Sequence, residues 1–155
     1  MREGLFSTLE AIRGPLTGAS FLDLYAGSGA VGLEAASRGA ATVLLVERDE
    51  KAVAAIRHNV DALGAERVTV RATAVERILG AGASDAFDVV FVDPPYSDPV
   101  EPVLELLAGG AWMAARGVVV VERDSRGAPP SWPTEMSLDR TRRYGDTTLW
   151  YGRRP

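Results

Sequence analysis

The chain has 155 residues, a formal net charge of −4 and a composition of 46% hydrophobic and 25% charged residues. These values are ordinary for one globular α/β domain and argue against a dedicated nucleic-acid-binding module, which is usually basic. The absence of cysteine excludes disulfides, Cys-ligated zinc and a thiol nucleophile, and His58 is the single histidine, so no metal is expected. No apolar run reaches the ~18–20 residues of a membrane span and no signal-peptide core begins the chain, which predicts a cytoplasmic protein without a membrane partner.

Hydrophobic periodicity and turn residues predict alternating strands and helices, followed by a hairpin. Helices are predicted over residues 2–12, 30–38, 50–63, 75–79 and 100–107. Strands are predicted over residues 20–25, 42–47, 68–71, 87–92 and 117–121, with a closing pair over 135–143 and 147–152. The Pro-rich residues 127–133 are not expected to be helical. This order implies a mostly parallel sheet with an antiparallel edge.

A glycine-rich turn is predicted where the first strand meets the second helix. It begins at Asp23 and continues through Tyr25, Ala26, Gly27, Ser28 and Gly29. Glycines let the backbone approach a ligand closely, and ligands of open α/β sheets bind beyond the carboxyl ends of the strands. Glu47 ends the next strand, at about the ~20-residue offset expected for a carboxylate that binds ribose hydroxyls. The motif predicts an adenosine-containing cofactor and leaves a nicotinamide nucleotide and S-adenosylmethionine open.

Two features favour S-adenosylmethionine, which would leave as S-adenosylhomocysteine. Asp23 stands where it can support the loop and the amino-acid end of the cofactor, whereas a pyrophosphate would be repelled by this carboxylate. The chain also lacks the second domain that most hydride-transfer enzymes use to bind substrate. An NAD-dependent oxidoreductase stays as the less favoured alternative, since no convincing acid–base residue supports it.

The second motif is Asp93-Pro94-Pro95-Tyr96, which directly follows the buried fourth strand. Two prolines stiffen the turn and remove two N–H groups, leaving carbonyls free to accept from a ligand. An exocyclic amine on a base is a poor nucleophile, and hydrogen bonds from its N–H groups to Asp93 and the Pro94 carbonyl would aim its lone pair at a methyl group. Asp93 could also take the proton, and Tyr96 would stack on a base taken out of its helix. We predict these residues as the catalytic site.

Together these residues resemble the class I methyltransferases of the RsmD-like family, which methylate guanine N2 in small-subunit ribosomal RNA. The resemblance spans almost the whole chain. It is carried by Arg2-Glu3-Gly4-Leu5-Phe6, the stretch from Asp23 to Gly29, Val46-Glu47-Arg48-Asp49, Asp93-Pro94-Pro95-Tyr96 and Arg143-Tyr144-Gly145-Asp146-Thr147.

The resemblance implies a Rossmann-like, seven-stranded, mostly parallel sheet with a C-terminal antiparallel hairpin. It also implies cofactor contacts from the Gly27 loop, Glu47, Arg48 and Asp93, and a ribosomal RNA or small-subunit assembly particle as partner. Family members usually carry an Asp after the third strand to accept from adenine. This chain has Thr73 and Ala74 there, so Thr73 or backbone groups would do that work.

The resemblance further implies a basic segment before the first helix, which is where this sequence opens. We therefore expect one methyltransferase domain over residues 1–155, acting as a monomer, with that segment absent. Arg2, Arg140, Arg142 and Arg143 are candidate RNA contacts, although a solvated surface is as natural a role for them. Adenine N6 in DNA, a protein glutamine and a free small molecule stay open as alternative substrates, as does a non-catalytic binding module.

Overall fold

The computed structural model describes residues 1–155. Its helices are α1 (Arg2–Arg13), α2 (Ala30–Ser37), α3 (Glu50–Leu63), α4 (Val75–Gly80) and α5 (Glu101–Gly109). Its strands are β1 (Ser20–Leu24), β2 (Thr42–Glu47), β3 (Val68–Ala72), β4 (Phe87–Val92), β5 (Met113–Asp124), β6 (Ser137–Tyr144) and β7 (Thr147–Arg153). None of these helices is long and apolar enough to cross a membrane.

The strands form one seven-stranded sheet in the order β3-β2-β1-β4-β5-β7-β6. Neighbours from β3 to β5 are parallel, while β7 is antiparallel to both β5 and β6. The predicted Rossmann-like sheet with an antiparallel C-terminal hairpin is therefore confirmed. The reversal of strand order at β1 and β4 places the carboxyl ends of these two strands at the crevice where open α/β sheets bind ligands.

Both faces of the sheet are covered, which explains why β4 is almost uniformly apolar. On one face the core contains the buried residues of α1, Ala35 of α2 and Ile56 of α3, packed on alternate sheet residues such as Phe21 and Phe91. On the other face α4 and α5 pack against the intervening positions, among them Leu22 and Val90. The period-2 alternation of strand side chains thus divides each central strand between two cores.

The fifth strand differs most from its predicted bounds, since it begins at Met113 rather than Gly117 and ends at Asp124. Residues 113–116 include alanines that favour helix, yet Met113 pairs with Phe87 and the register shifts before Val89 pairs with Val118. Arg116 takes a φ of 65° at this irregularity, as β-bulges allow. At the other end, pairing with β7 extends β5 until Asp124 faces Thr147.

Smaller differences concern the ends of other elements. The fifth helix starts at Glu101 rather than Val100, because Val100 is its N-cap and Pro102 fits the first turn. The sixth strand begins at Ser137 rather than Glu135, because Ser137 is the first residue to pair with β7. The hairpin turn predicted near Gly145 is present, and Gly145 has a φ of 63°.

Candidate active site

Two cavities open at the carboxyl edge of the sheet and share Asp93, Pro94 and Asp98. The first, here called the β2-side cavity, has a volume of about 400 Å³. Its lining consists of Tyr25, Val46, Glu47, Arg48, Thr73, Val75, Glu76, Asp93, Pro94, Pro95 and Asp98. The second, the β5-side cavity, has a volume of about 550 Å³ and is lined by the loop after β4, the end of β5, residues 127–130 and the start of β7. Both volumes lie within the range of small-molecule sites.

The glycine-rich loop after β1 takes the backbone shape that its sequence predicts. Gly27 and Gly29 have φ values of 58° and 80°, and Tyr25 also has a positive φ of 61°. The loop is closed by hydrogen bonds from the Ala26 N–H to the Val46 carbonyl and from the Gly29 N–H to the Ala26 carbonyl. No atom lies within 4 Å of the position that a Cβ on Gly27 would take. The space above this glycine is therefore open to a ligand.

Asp23 lies beneath this loop rather than in either cavity. It is only 1% exposed, and its Oδ2 accepts a hydrogen bond of 3.0 Å from the Gly32 N–H. This bond satisfies one of the N–H groups that the first turn of α2 leaves without a helical partner. Burial raises the pKa of Asp23 to about 8, against the lowering effect of that hydrogen bond. The predicted loop support is present, whereas no contact of Asp23 with the cavity is formed.

Glu47 holds the loop by its carboxylate at the end of β2. Its Oε1 accepts from the Gly27 N–H at 2.8 Å, and its Oε2 accepts from the N–H groups of Arg48 and Asp49 at 3.1 and 3.0 Å. A carboxylate has about four acceptor positions. Glu47 thus keeps about one position, on Oε1, for a ligand in the β2-side cavity.

The far wall of the β2-side cavity carries a carboxylate that the sequence reasoning missed. The hydroxyl of Tyr25 donates a hydrogen bond of 3.0 Å to Oε1 of Glu76, in the first turn of α4. Thr73 lies in the same wall, and its N–H bonds to the Glu47 carbonyl. Burial and the bond to Glu76 raise the pKa of Tyr25, which keeps its hydroxyl protonated as a donor. Glu76 thus lines the same cavity as Thr73.

The loop after β4 is fixed from the side of β5. Arg123 donates from Nη2 to the Asp98 carbonyl at 2.7 Å and from Nη1 to the Pro95 carbonyl at 3.5 Å. No backbone N–H donates to the carbonyl of Pro94, so this oxygen is available as an acceptor. Tyr96 is 78% exposed at the mouth of the β5-side cavity. The loop therefore presents a fixed backbone acceptor and an exposed ring.

Asp93 and Glu122 place two carboxyl groups at this loop. Burial raises the pKa of Asp93 to about 6, and the positive charge of Arg123 limits the rise. Burial raises the pKa of Glu122 to about 7, and the nearby charge of Asp93 adds to it. Sequence reasoning missed both Glu122 and Arg123. The signal that could have found them is the pairing of β5 beside β4, which brings the ends of the two strands together.

The structure brings together most, but not all, of the predicted site residues. Asp93 and Pro94 line both cavities, Pro95 and Tyr96 line one each, and Tyr25, Glu47, Arg48 and Thr73 line the β2-side cavity. Ala26, Gly27, Ser28 and Gly29 form the adjoining loop without lining either cavity, and Ala74 is the N-cap of α4.

Three of the four candidate RNA contacts lie on β6 of the hairpin, and the fourth, Arg2, begins α1. Arg142 and Arg143 are exposed on β6, and Arg143 also donates to the Gly145 carbonyl at 3.0 Å. Arg140 is paired with Asp139 at 2.7 Å. The ring of Tyr144 fills the place that a Cβ on Gly4 would take, with its Cζ at 2.8 Å. This contact sets the start of α1, and with it the exposed Arg2, next to the end of β6.

A Rossmann-like sheet, a glycine loop at the strand-order reversal and an Asp-Pro-Pro-Tyr turn on the neighbouring strand together define a methyltransferase. The likeness in fold extends to a magnesium protoporphyrin IX methyltransferase from Synechocystis, solved with bound S-adenosylmethionine. That structure has a TM-score of 0.73 and 18% identity, with 99% of this chain and 78% of the other covered.

The comparisons with known proteins place the chain in one family. The family model described as Conserved hypothetical protein 95 matches residues 1–153. Ribosomal RNA small subunit methyltransferase D of Escherichia coli is 34% identical over 142 residues, which are 90% of this chain and 69% of the relative. A conserved hypothetical protein of Streptococcus pyogenes superposes with a TM-score of 0.90 and 30% identity, covering 100% of this chain and 96% of the other. The chain belongs to the Conserved hypothetical protein 95 family, as the RsmD-like resemblance predicted.

Proposed function

We propose that this protein transfers a methyl group from S-adenosylmethionine to the exocyclic N2 of a guanine in small-subunit ribosomal RNA. The observation that carries the proposal is the shared wall of the two cavities. Asp93 and Pro94 line both the β2-side cavity, which adjoins the glycine-rich loop, and the β5-side cavity, at whose mouth Tyr96 lies. A cofactor in the first and a base in the second would meet at these residues.

The residues of the β2-side cavity fit S-adenosylmethionine. The open space above Gly27 admits a ligand close to the backbone, and Glu47 offers an acceptor for a ribose hydroxyl beside it. Glu76 and Thr73 are proposed to accept from the adenine amino group in place of the missing Asp. Asp23 supports this site from below through Gly32. When bound, the cofactor supplies a methyl group activated by a positively charged sulfur.

The residues of the loop after β4 position the amine. Asp93 and the Pro94 carbonyl accept from the two N–H groups, which draws the nitrogen toward tetrahedral geometry and aims its lone pair across the shared wall. Transfer would form the N–C bond and break the S–C bond, and the electron pair of the S–C bond would remain on sulfur. The amine then releases a proton, which Asp93 accepts. Catalysis rests mainly on positioning and on electrostatic complementarity.

On the RNA side, we propose that residues 1–155 act as one domain and as a monomer. Tyr96 is proposed to stack on the extruded base, because its ring is exposed at the cavity mouth. Arg2, Arg142 and Arg143 are proposed to contact phosphates at the neighbouring edge. Arg140 contributes less, since Asp139 already pairs with it.

The cofactor half of the proposal is tested by calorimetry with S-adenosylmethionine, S-adenosylhomocysteine and NAD. We expect both sulfur cofactors to bind and NAD not to bind. Binding of NAD alone would instead support the oxidoreductase alternative.

The transfer half is tested with a labelled methyl group and small-subunit particles. We expect labelling by the wild type, and a loss of at least about a hundredfold in Asp93→Ala, as for removal of a positioned proton acceptor. Because Asp93 also lines the β2-side cavity, the assay is run at saturating S-adenosylmethionine, so that a weaker hold on the cofactor does not account for the loss. Unchanged labelling by Asp93→Ala would overturn the role given to the loop.

A further inference from the structure

Glu122 is the carboxylate of the β5-side cavity that the proposed chemistry leaves without a role. β4 and β5 run parallel with Val92 paired to Val121, so Asp93 and Glu122 are the next residues along two adjacent strands. Both line the β5-side cavity. The side chain of Glu122 therefore stands beside the residue that is proposed to hold the amino group of the base.

The carboxylate of Glu122 has no hydrogen-bond partner within the protein. The neighbouring Arg123 directs its guanidinium to the carbonyls of Pro95 and Asp98 instead, while the next carboxylate along the strand, Asp124, pairs with Arg126 at 2.9 Å. Glu122 is half-buried in the wall of the β5-side cavity. The carboxylate of Glu122 is therefore available to accept a hydrogen bond from a ligand in that cavity.

Guanine offers such a donor next to its amino group. Its ring N1 carries a hydrogen, so N2 and N1 present adjacent N–H donors on the edge by which an extruded base is read. Adenine N1 and cytosine N3 carry a lone pair at the equivalent place. Two neighbouring carboxylates match the guanine pattern, whereas the second carboxylate would face a lone pair on adenine or cytosine.

We propose that Glu122 accepts a hydrogen bond from the N1–H of the target guanine and thereby selects guanine over the other amino-bearing bases. This inference rests on the proposed function, because it places the base against Asp93. The selection needs the ionised carboxylate. Since burial raises the pKa of Glu122 to about 7, the preference for guanine weakens as the pH falls through that region.

The test is the binding of free nucleosides to the protein saturated with S-adenosylhomocysteine, measured by calorimetry. Saturation keeps adenosine out of the cofactor cavity. The probes are guanosine, adenosine and the riboside of 2-aminopurine, which keeps the 2-amino group but has a lone pair on N1. Glu122→Gln is the informative variant, because an amide can either accept from guanine N1 or donate to adenine N1. Glu105→Gln, an exposed residue of α5, makes the same chemical change away from the site.

The wild type and Glu105→Gln should bind guanosine at least about tenfold more tightly than the other two nucleosides, as one specific base contact allows. In Glu122→Gln this ratio should collapse, with adenosine or 2-aminopurine riboside gaining affinity. A variant that merely loosened the fold would lose affinity for all probes alike. An unchanged ratio in Glu122→Gln, or no guanosine binding by the wild type, would overturn the assignment.

The same measurements separate this inference from the proposed function. If the protein methylates small-subunit RNA but Glu122→Gln leaves the nucleoside ratio unchanged, the inference is wrong and the proposed function is unaffected. A ratio that depends on Glu122, without any methyl transfer to RNA, would count against the proposed function alone.

Discussion

At the level of single residues, Asp23 shows how a buried carboxyl supports the glycine-rich loop from below. Its carboxyl fixes the first turn of α2 through Gly32, yet burial raises its pKa to about 8 from the ordinary value of 3.8. The folded protein therefore binds a proton that the unfolded chain releases between these two pH values. Stability from this group is fully present below about pH 4 and is lost as the pH rises toward 8.

The replacement Asp23→Asn tests this pH dependence. The amide oxygen still accepts from the Gly32 N–H, but the group no longer titrates. We expect the free energy of unfolding of the wild type, measured by urea denaturation, to decline between pH 5 and pH 8. The decline should be smaller in Asp23→Asn. Equal slopes in the two proteins would show that Asp23 is already ionised at pH 5.

Gly32 is the second residue on which the loop depends. A Cβ at this position would clash with Leu45 and would lie 3.2 Å from both Asp23 Oδ2 and Val43 Cγ1. Gly32→Ala should destabilise the protein by about 1–3 kcal/mol, as overpacking of a core does. Gly80→Ala is the matched control, because no atom lies within 4 Å of its Cβ position. Thermal unfolding checks both, and equal melting temperatures would show that α2 can shift away from β2.

At the level of elements, the end of β5 organises the loop after β4. Arg123 fixes the loop through the carbonyls of Pro95 and Asp98, and its charge also limits the rise in the pKa of Asp93. One side chain thus couples the shape of the loop to the ionisation of its carboxylate. An uncharged replacement of similar length should disturb both properties at once.

In Arg123→Met we expect a lower kcat for methyl transfer and a higher pKa for Asp93. The kcat of the wild type, measured at saturating RNA so that base binding by Glu122 does not limit it, should fall as the pH drops through about 6, where Asp93 gains a proton. In Arg123→Met that fall should begin at a higher pH. Arg57→Met, an exposed change on α3, should leave the pH profile in place. A profile unaltered by the loss of Arg123 would remove the electrostatic part of its role.

At the level of the whole molecule, an acidic protein with a net charge of −4 is proposed to bind RNA through a local basic edge. Arg142 and Arg143 are exposed on β6, which pairs with β7, and the first residue of β7, Thr147, lines the β5-side cavity. Their positive charge acts locally on phosphates, although the summed charge of the chain is unfavourable.

Replacing Arg142 and Arg143 by Ala should raise KM for the RNA substrate and leave kcat little changed. The dependence of log KM on log salt should become shallower, by about 0.7–0.9 for each phosphate that no longer meets an arginine. Arg140→Ala should have a smaller effect, since Asp139 already neutralises this side chain. A salt dependence that the double replacement leaves intact would place the RNA on another surface.

The fold was predictable because strong local patterns determine it. The apolar strands, the glycine stops and the turn at Gly145 each act over a few residues, and alternating β/α units allow few arrangements of the sheet. The start of β5 was not predictable in this way. Met113 is a strand residue because it pairs with Phe87, a partner distant in the sequence, and this pairing overrides the helical preference of the alanines that follow.

The residues of the candidate site also fall into those that a local motif predicts and those that only long-range packing brings together. Asp93 and Glu47 were found because each belongs to a short motif at a strand end. Glu122, Arg123 and Glu76 belong to no motif, and they reach the cavities only through the pairing of β5 with β4 and the placement of α4. Long-range packing therefore adds residues to the site that spacing along the chain does not reveal.

The most direct single measurement is the identity of the methylated nucleoside. Small-subunit particles would be incubated with this protein and labelled S-adenosylmethionine, and the RNA would then be digested and separated by chromatography with mass detection. We expect the label in N2-methylguanosine and, with Asp93→Ala, almost none. Guanine N2 methylation would be refuted as the function of this chain if the wild type placed the label in N6-methyladenosine or in protein, or if it transferred no label at all.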